Sequence, residues 1–328
     1  VALVKAEGGY SDHPNWNGFS GAISAALTAG VYGSGYTSVD TQNSTAVAVS
    51  TTSLWMGFYH RIPTSGNGYD GSNLPGSLGS VCNGWASTYH WTLNPLSDGS
   101  IRLRSGSGSG TILATTAAGL YDFNRWQWVE IDTSVATAGW VRVKIDGIQV
   151  LSYDGDVHNT GTPGTFGFMS HGAASNTHFA SLVIYDAVPA RLGPFRSETL
   201  IPNGNGYLSQ WTGSDGNSTD NYLLLDEAPA DSADYSAGLA SGNIDAYALP
   251  SLVHSGAPEL VSVLEAAATL SGHDKQLVRV GGANYYGSNK TIGGSWAGYS
   301  DVWETSPATS SAWSFSEIDG MEIGVEVL

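Results

Sequence analysis

The sequence is short of several things, and each shortage excludes something. It has one cysteine, Cys82, so no disulfide can form within the chain and the fold does not depend on an oxidising compartment. Cations are few: 12 Lys and Arg stand against 29 Asp and Glu, a net charge of −17. A nucleic-acid partner needs a basic face to neutralise phosphates, and none is expected here. No apolar run approaches the roughly 20 residues of a membrane-spanning helix, and "SLVIY" at 181–185 reads as a buried strand, so no membrane insertion is expected. The opening "VALVKAEGGYSDHPNW" lacks the apolar core of an export signal, and assembly in a cytoplasm is the expectation. Charged helix formers are scarce as well, so little helix is expected.

What is present is glycine, 43 of 328 residues, with 11 Trp and 16 Tyr, a composition for short strands and tight turns. Residues 1–189 read as a series of strands: "STTSLWMGFYHRI", "STYHWTLNP", "GSIRLRS", "TILATTA", "RWQWVEIDTS", "TFGFMSH" and "HFASLVIYDA". Turns rich in Gly, Asn, Asp and Pro separate them, and "SGSGSG" at 105–110 reads as a hairpin loop. Such spacing without helical periodicity points to an antiparallel sandwich. "DAVPARLGP" at 186–194 is the best boundary, which makes 190–328 a second domain. Its strand candidates include "NYLLLD", "NIDAYAL", "QLVRVGGANYY", "GYSDVWET" and "MEIGVEVL", and 259–270 favours strand over helix. The expected fold class is all-β, two antiparallel jelly-roll-like sandwiches in tandem.

"AGWVRVKIDGIQVLSY", 138–153, is the clearest local element. Val141, Val143 and Ile145 alternate with Arg142 and Lys144, the period of a half-buried strand. Asp146-Gly147 tolerates positive φ and predicts a two-residue hairpin turn. The expected pairs are Ile145 with Ile148 and Val143 with Val150, with Trp140, Arg142, Lys144, Gln149 and Tyr153 on the other face.

Two stretches carry a resemblance. "RWQWVEIDTSVATAGWVRVKIDGIQVLSY" and "HFASLVIYDA" resemble concanavalin A-like, laminin-G-type sandwich domains of tailed-phage virion proteins. "RLGPFRSETLIPNGNGYLSQWTGSDGNSTDNYLLLDEAPADSADY" and the ending "SPATSSAWSFSEIDGMEIGVEVL" resemble a phage virion β-sandwich module. The resemblance implies a non-enzymatic structural protein of a bacteriophage virion, tail-associated or part of a tail fibre, assembled in the host cytoplasm. Its implied partners are other virion proteins, further copies of the chain and a host-surface glycan. Decoration of the capsid or a head fibre is the first alternative, since no fibre-shaft repeat or coiled coil is present. A glycan-degrading enzyme on the same fold is the second, and a secreted bacterial sugar-binding module the third.

The chemistry-bearing patterns are sparse. Glu130 and Asp132 in "VEID" share a face of one strand. A lectin-fold family of retaining glycosidases adds a second Glu two residues after the Asp, setting its carboxyls about 5–5.5 Å apart. That position is Ser134 here, so Glu130 is expected to be structural, beside Arg125 or Arg142. "GNGYDG" at 66–71 is a loop without the strand and helix that a dinucleotide site requires. Asp226, Glu227, Asp231 and Asp234 read as a solvated turn, with calcium the competing reading. His60, His90, His171 and His178 are scattered; no metal site and no cofactor are expected.

Aromatic residues are the best binding clue, because sugar rings stack on exposed aromatic faces. Trp55 and Tyr59 share one strand face, Tyr89 and Trp91 another, and Trp85 lies in the loop before. These five are the candidate carbohydrate-binding residues, with core packing the competing role of each. For assembly, "VRVGGANYYGSNKTIGGSWAGY" at 278–299 contains no acidic residue. Arg279, Tyr285, Tyr286, Lys290, Trp296 and Tyr299 are its candidate contact residues, where −17 charges per chain repel least.

Overall fold

The computed structural model describes residues 3–7, 16–17, 23–26, 36–39, 44–49, 51–62, 77–83, 88–107, 109–169, 177–189, 193–194, 198, 200–225, 233–253, 258, 260–269 and 272–328. The chain divides between residues 197 and 198 into two compact units, a few residues beyond the boundary expected from the prolines. Strand is the dominant regular structure of the described residues, and helix is scarce.

In the first unit two antiparallel sheets face each other. The first runs, strand beside strand, Ile148–Gly155, Gly139–Ile145, Gln127–Ser134, Ser53–Arg61, Thr177–Tyr185, Tyr36–Val39 and Ile23–Ala26, with Leu3–Glu7 also paired to Thr177–Tyr185. The second runs Ile112–Thr115, Ile101–Ser105, Tyr89–Pro95, Gly79–Cys82, Thr165–Met169, Ser44–Ala48 and Trp16–Asn17. Their inner faces interlock Leu54, Met56, Phe58, Val129, Ile131, Val141 and Val143 with Val81, Trp91, Leu93, Ile101, Leu103 and Phe166. Each fully buried aliphatic contributes roughly 1.5–3 kcal/mol. The period-two pattern follows from this: along Gly139–Ile145 every second residue is buried. The glycine-serine stretch after Ser105 is the expected hairpin loop between two paired strands.

The 138–153 hairpin turns where expected. Asp146 and Gly147 sit at φ 49° and 82°, both in the left-handed region a primed turn demands. Beyond the turn the register differs from the expectation. Ile145 faces Ile148 and Lys144 faces Gln149, but Val143 faces Leu151 rather than Val150. A bulge puts one extra residue on the return strand and re-aims it. Leu151 is therefore buried, Ile148 is 69% exposed, and Tyr153, opposite Val141, packs against the core instead of facing away.

The second unit is a smaller sandwich. One sheet orders Gly204–Ser209, Ile244–Ala248, Glu322–Val327, Gly272–Val280 and Ala283–Tyr286, with Lys290–Ile292 also on Gly272–Val280. A second pairs Val261–Ala267 with Ala297–Trp303, and a short third pairs Thr212–Gly213 with Ser236–Ala237. Val263, Val278, Val280, Trp313, Ile318 and Met321 form the core. Within the stretch at 259–270, Val261–Ala267 is strand, as favoured. "NYLLLD" is not: Asn221–Leu224 is a 3₁₀ turn. Asn221 is buried and donates from Nδ2 to Asp245 Oδ2 at 2.6 Å and Trp211 O at 3.2 Å, which holds the segment out of any ladder. One short helix, Phe315–Asp319, begins with a capping box between Ser314 and Glu317.

Candidate functional site

Each sheet of the first unit has a second face, turned away from the shared core, and the two differ in chemistry. On the first sheet this face is aromatic. Cross-strand pairing sets Trp128 opposite Tyr59, Glu130 opposite Gly57 and Asp132 opposite Trp55. Gly57 is required there: a Cβ would meet the Trp128 and Trp55 rings at 2.5 and 2.7 Å. Trp55, Tyr59, Trp128 and Tyr185 are all buried and pack as one cluster with Ala180 and Val183. Glu130 is only 3% exposed, yet it is bonded. Its Oε1 accepts from Trp128 Nε1 at 3.0 Å; Oε2 accepts no hydrogen bond and has only the Lys144 ammonium beside it, at 3.8 Å. The cation beside Glu130 is thus Lys144; Arg125 pairs with Asp122 and Asp146, and Arg142 with Asp154. Asp132 is raised above the ordinary carboxylate range by burial. Ser134 faces Trp140 and Ser53, so no third carboxylate joins Glu130 and Asp132 on this strand.

On the second sheet the outward face is polar. Val81, Trp91, Leu93 and Leu103 point into the core, so their strand neighbours Ser80, Thr92, Asn94, Arg102 and Arg104 point away. Pairing places Thr92 between Ser80 and Arg104 in one row, and Asn94 opposite Arg102 in the next. Ser80 and Thr92 are satisfied locally: Ser80 Oγ donates to Gly167 O at 3.2 Å and Thr92 Oγ1 to Gly106 O at 2.7 Å. Asn94 is not. It is fully enclosed, and neither its Oδ1 nor its Nδ2 has a partner. The Nε atoms of Arg102 and Arg104 are likewise enclosed and unpartnered. Arg104 donates from Nη1 to Gly110 O at 2.7 Å, and Arg102 as a neighbouring like charge helps hold its pKa down, after burial. Asp98 feels Arg102, but its Oδ1 accepts from Ser100 N and Oγ, at 2.9 and 2.7 Å. A buried amide with neither hydrogen bond made costs about 1–3 kcal/mol per group, and the arrangement suits a ligand that supplies acceptors and donors.

The structure scatters the candidate sugar-stacking residues. Trp55 and Tyr59 share a face as expected, but within the buried cluster, and Trp91 is fully enclosed in the core; none of the three offers a ring face to solvent. The physical reason is that both faces of the Ser53–Arg61 strand are covered. Tyr89 is half-buried, and Trp85 lies outside the described residues. The polar row was missed because threonine, asparagine and arginine on a strand look like ordinary solvent-facing alternation. His60, His90 and His178 are neutral at pH 7: burial lowers His60 to about 3, and His90 and His178 to about 4. Among the described residues no group of three or more His, Cys, Asp or Glu is placed to hold a metal, and no helix is long and apolar enough to cross a membrane. His171, the 66–71 loop and residues 226–231 of the acidic stretch lie outside the described residues.

In the second unit the candidate contact residues are largely engaged internally. Arg279 stacks 3.9 Å over the Tyr207 ring and donates to Asn284 Oδ1 at 2.9 Å. Lys290 Nζ reaches Asp301 Oδ1, Ser288 Oγ and Ser300 O, each at 2.8 Å. Tyr285 packs against the core and Tyr299 Oη accepts from Gly293 N. Tyr286 and Trp296 are exposed, 40% and 46%, with Lys275 over the Tyr286 ring. Beneath this region Glu265 is pushed up to about 8, by burial first and by Asp274 second.

No family model matches the chain, and no curated protein matches it. Solved structures do resemble part of it. An endo-β-1,4-glucuronan lyase from the fungus Trichoderma reesei is 10% identical, with a TM-score of 0.42 over 57% of this chain and 96% of the lyase. The carbohydrate-binding module CBM66 from Bacillus subtilis is 13% identical, with a TM-score of 0.38 over 52% and 95%. A Bacillus subtilis protein of unknown function with a galectin-like fold is 14% identical, with a TM-score of 0.41 over 57% and 97%. What those proteins bind or cleave is theirs; the reading of this chain rests on its own residues.

Proposed function

We propose that the protein is a non-enzymatic glycan-binding component of a tailed-phage particle, with binding placed on the outward face of the second sheet of the first unit. The observation that carries the binding reading is the polar row in which part-exposed Arg102 and Arg104 stand beside Asn94, an amide with both polar atoms unpartnered. Sugars present hydroxyls that donate and accept at once, which is what an unpaired amide and its neighbours take up. The virion setting rests on the sequence resemblance of residues 191–235 and 306–328, which makes the second unit the assembly module. Tail placement is preferred over capsid decoration on that resemblance. Hydrolysis is left out of the proposal because Glu130 is bonded to Trp128 inside an aromatic cluster and Ser134 replaces the further carboxylate. The test is a glycan-array screen with the full chain, alongside Asn94→Ala. Binding to a defined set of glycans, lost in the variant while the thermal melt is retained, is the expected result. No retained glycan, or equal retention by Asn94→Ala, overturns the placement; release of reducing ends from a bound polysaccharide overturns the non-enzymatic reading.

A further inference from the structure

We propose that the glycan taken at this face is acidic, and that Arg102 and Arg104 bind its carboxylate or sulfate group; the inference rests on the glycan-binding reading above. In a chain with 12 cations and 29 carboxylates, an arginine without a carboxylate partner is out of keeping. Arg125 and Arg142 of the same unit follow the ordinary pattern, held at 2.9 and 2.5 Å by Asp122, Asp146 and Asp154. Arg102 and Arg104 do not. They stand two residues apart on one strand and so on one face, and each is the other's like-charged neighbour. Asp98, the acid that feels Arg102, already accepts from Ser100 at its Oδ1.

Two such guanidinium groups side by side repel, and folding tolerates them most readily where an anion bridges them. Their cross-strand partners Asn94 and Thr92 bring neutral polar groups to the same rows. Each arginine keeps its Nε enclosed while the residue as a whole remains part-exposed, so the cationic surface is open and the amide lies deeper. An acidic sugar fits this order, with its anionic group on the part-exposed arginines, above the enclosed amide. A carboxylate from a uronic or nonulosonic acid and a sulfate ester share this chemistry.

The full-length chain is titrated calorimetrically with three oligosaccharides of matched length: a polyuronate, a sulfated glucan and the neutral glucan. The same titrations are run on Arg102→Gln, Arg104→Gln and, as a control for lost charge alone, Arg125→Gln. At least one acidic probe is expected to bind about tenfold or more tightly than the neutral one. That margin is expected to vanish in Arg102→Gln and Arg104→Gln, to persist in Arg125→Gln, and to shrink with added salt. The polyuronate and sulfated arms tell which anion is read. Equal affinity for neutral and acidic probes overturns the inference while leaving glycan binding standing. Acidic binding that Arg125→Gln weakens as much as Arg102→Gln overturns it as non-specific attraction. No binding of any probe overturns it together with the reading beneath it.

Discussion

The two outward faces of the first unit are built on the same kind of strand and end in opposite states. On the first sheet Trp55, Tyr59, Trp128 and Tyr185 close over one another, and the buried acid, Glu130, is met by an indole N–H and an ammonium group. On the second sheet Thr92 and Ser80 are satisfied by backbone carbonyls, while Asn94 and two arginine Nε atoms are left without partners. Burial alone therefore does not mark a site. What separates the two faces is cover: the first closes Glu130 under aromatic rings, while the second leaves Arg102 and Arg104 part-exposed beside Asn94 and so has capacity left for a ligand.

The largest expected effect tests the core that both faces share. Val143→Asp puts an unpaired carboxylate where exposure is zero and is expected to cost about 3–5 kcal/mol in urea denaturation. Lys144→Asp, its strand neighbour, sets a like charge beside the buried Glu130 and is expected to cost about 1–3 kcal/mol. If Lys144→Asp is silent, Glu130 does not depend on Lys144 and the ion pair contributes nothing to the fold.

A partly enclosed acid in the second unit sharpens the contrast, because there, beside Asp274, a proton takes the place of a cation. Glu265 titrates near 8 when folded against an ordinary 4.5, so the folded state holds its proton more tightly than the unfolded chain. Its stabilisation is complete below about 4.5 and is lost as pH rises towards 8, by on the order of a few kcal/mol. Glu265→Gln is expected to flatten the stability profile across that window, measured as chemical-denaturation midpoints at successive pH values. A profile unchanged by the substitution would mean that Glu265 is ionised throughout.

Trp128→Phe removes the N–H that Glu130 accepts together with part of the buried indole, at an expected cost of about 2–4 kcal/mol with glycan affinity unchanged. Asn94→Leu should do the reverse. It replaces two unpaired polar atoms by an apolar group of similar shape, so stability is expected to hold or rise by up to about 1 kcal/mol while glycan binding is lost. A clear destabilisation by Asn94→Leu would show that the amide serves the fold.

Much of the fold was legible in the sequence. Period-two alternation and the Asp146-Gly147 turn placed the 138–153 hairpin, and β-branched residues favoured strand at 261–267 over helix. The one-residue bulge at Val143 was not legible, because nothing in "IQVLSY" says which of Val150 and Leu151 packs better against the core. The Ser314–Glu317 capping box was written in "SFSE" and could have announced the short helix. The site was the least legible part. Aromatic content drew attention to Trp55, Tyr59 and Trp91, and whether a tryptophan is covered depends on elements distant in sequence. The informative signal, two arginines spaced two apart in "IRLRS" in an acid-rich chain, acquires meaning only once pairing sets Asn94 opposite Arg102.

The central claim is that the Asn94 face takes up an acidic glycan. Arginine Nε–H signals in a nitrogen-15 correlation spectrum, assigned by single substitution and followed as an acidic oligosaccharide is added, test it most directly. The account predicts saturable shifts for Arg102 and Arg104, and none for Arg125 and Arg142, whose carboxylate partners already hold them. Shifts absent at Arg102 and Arg104, or equal at all four, would contradict it.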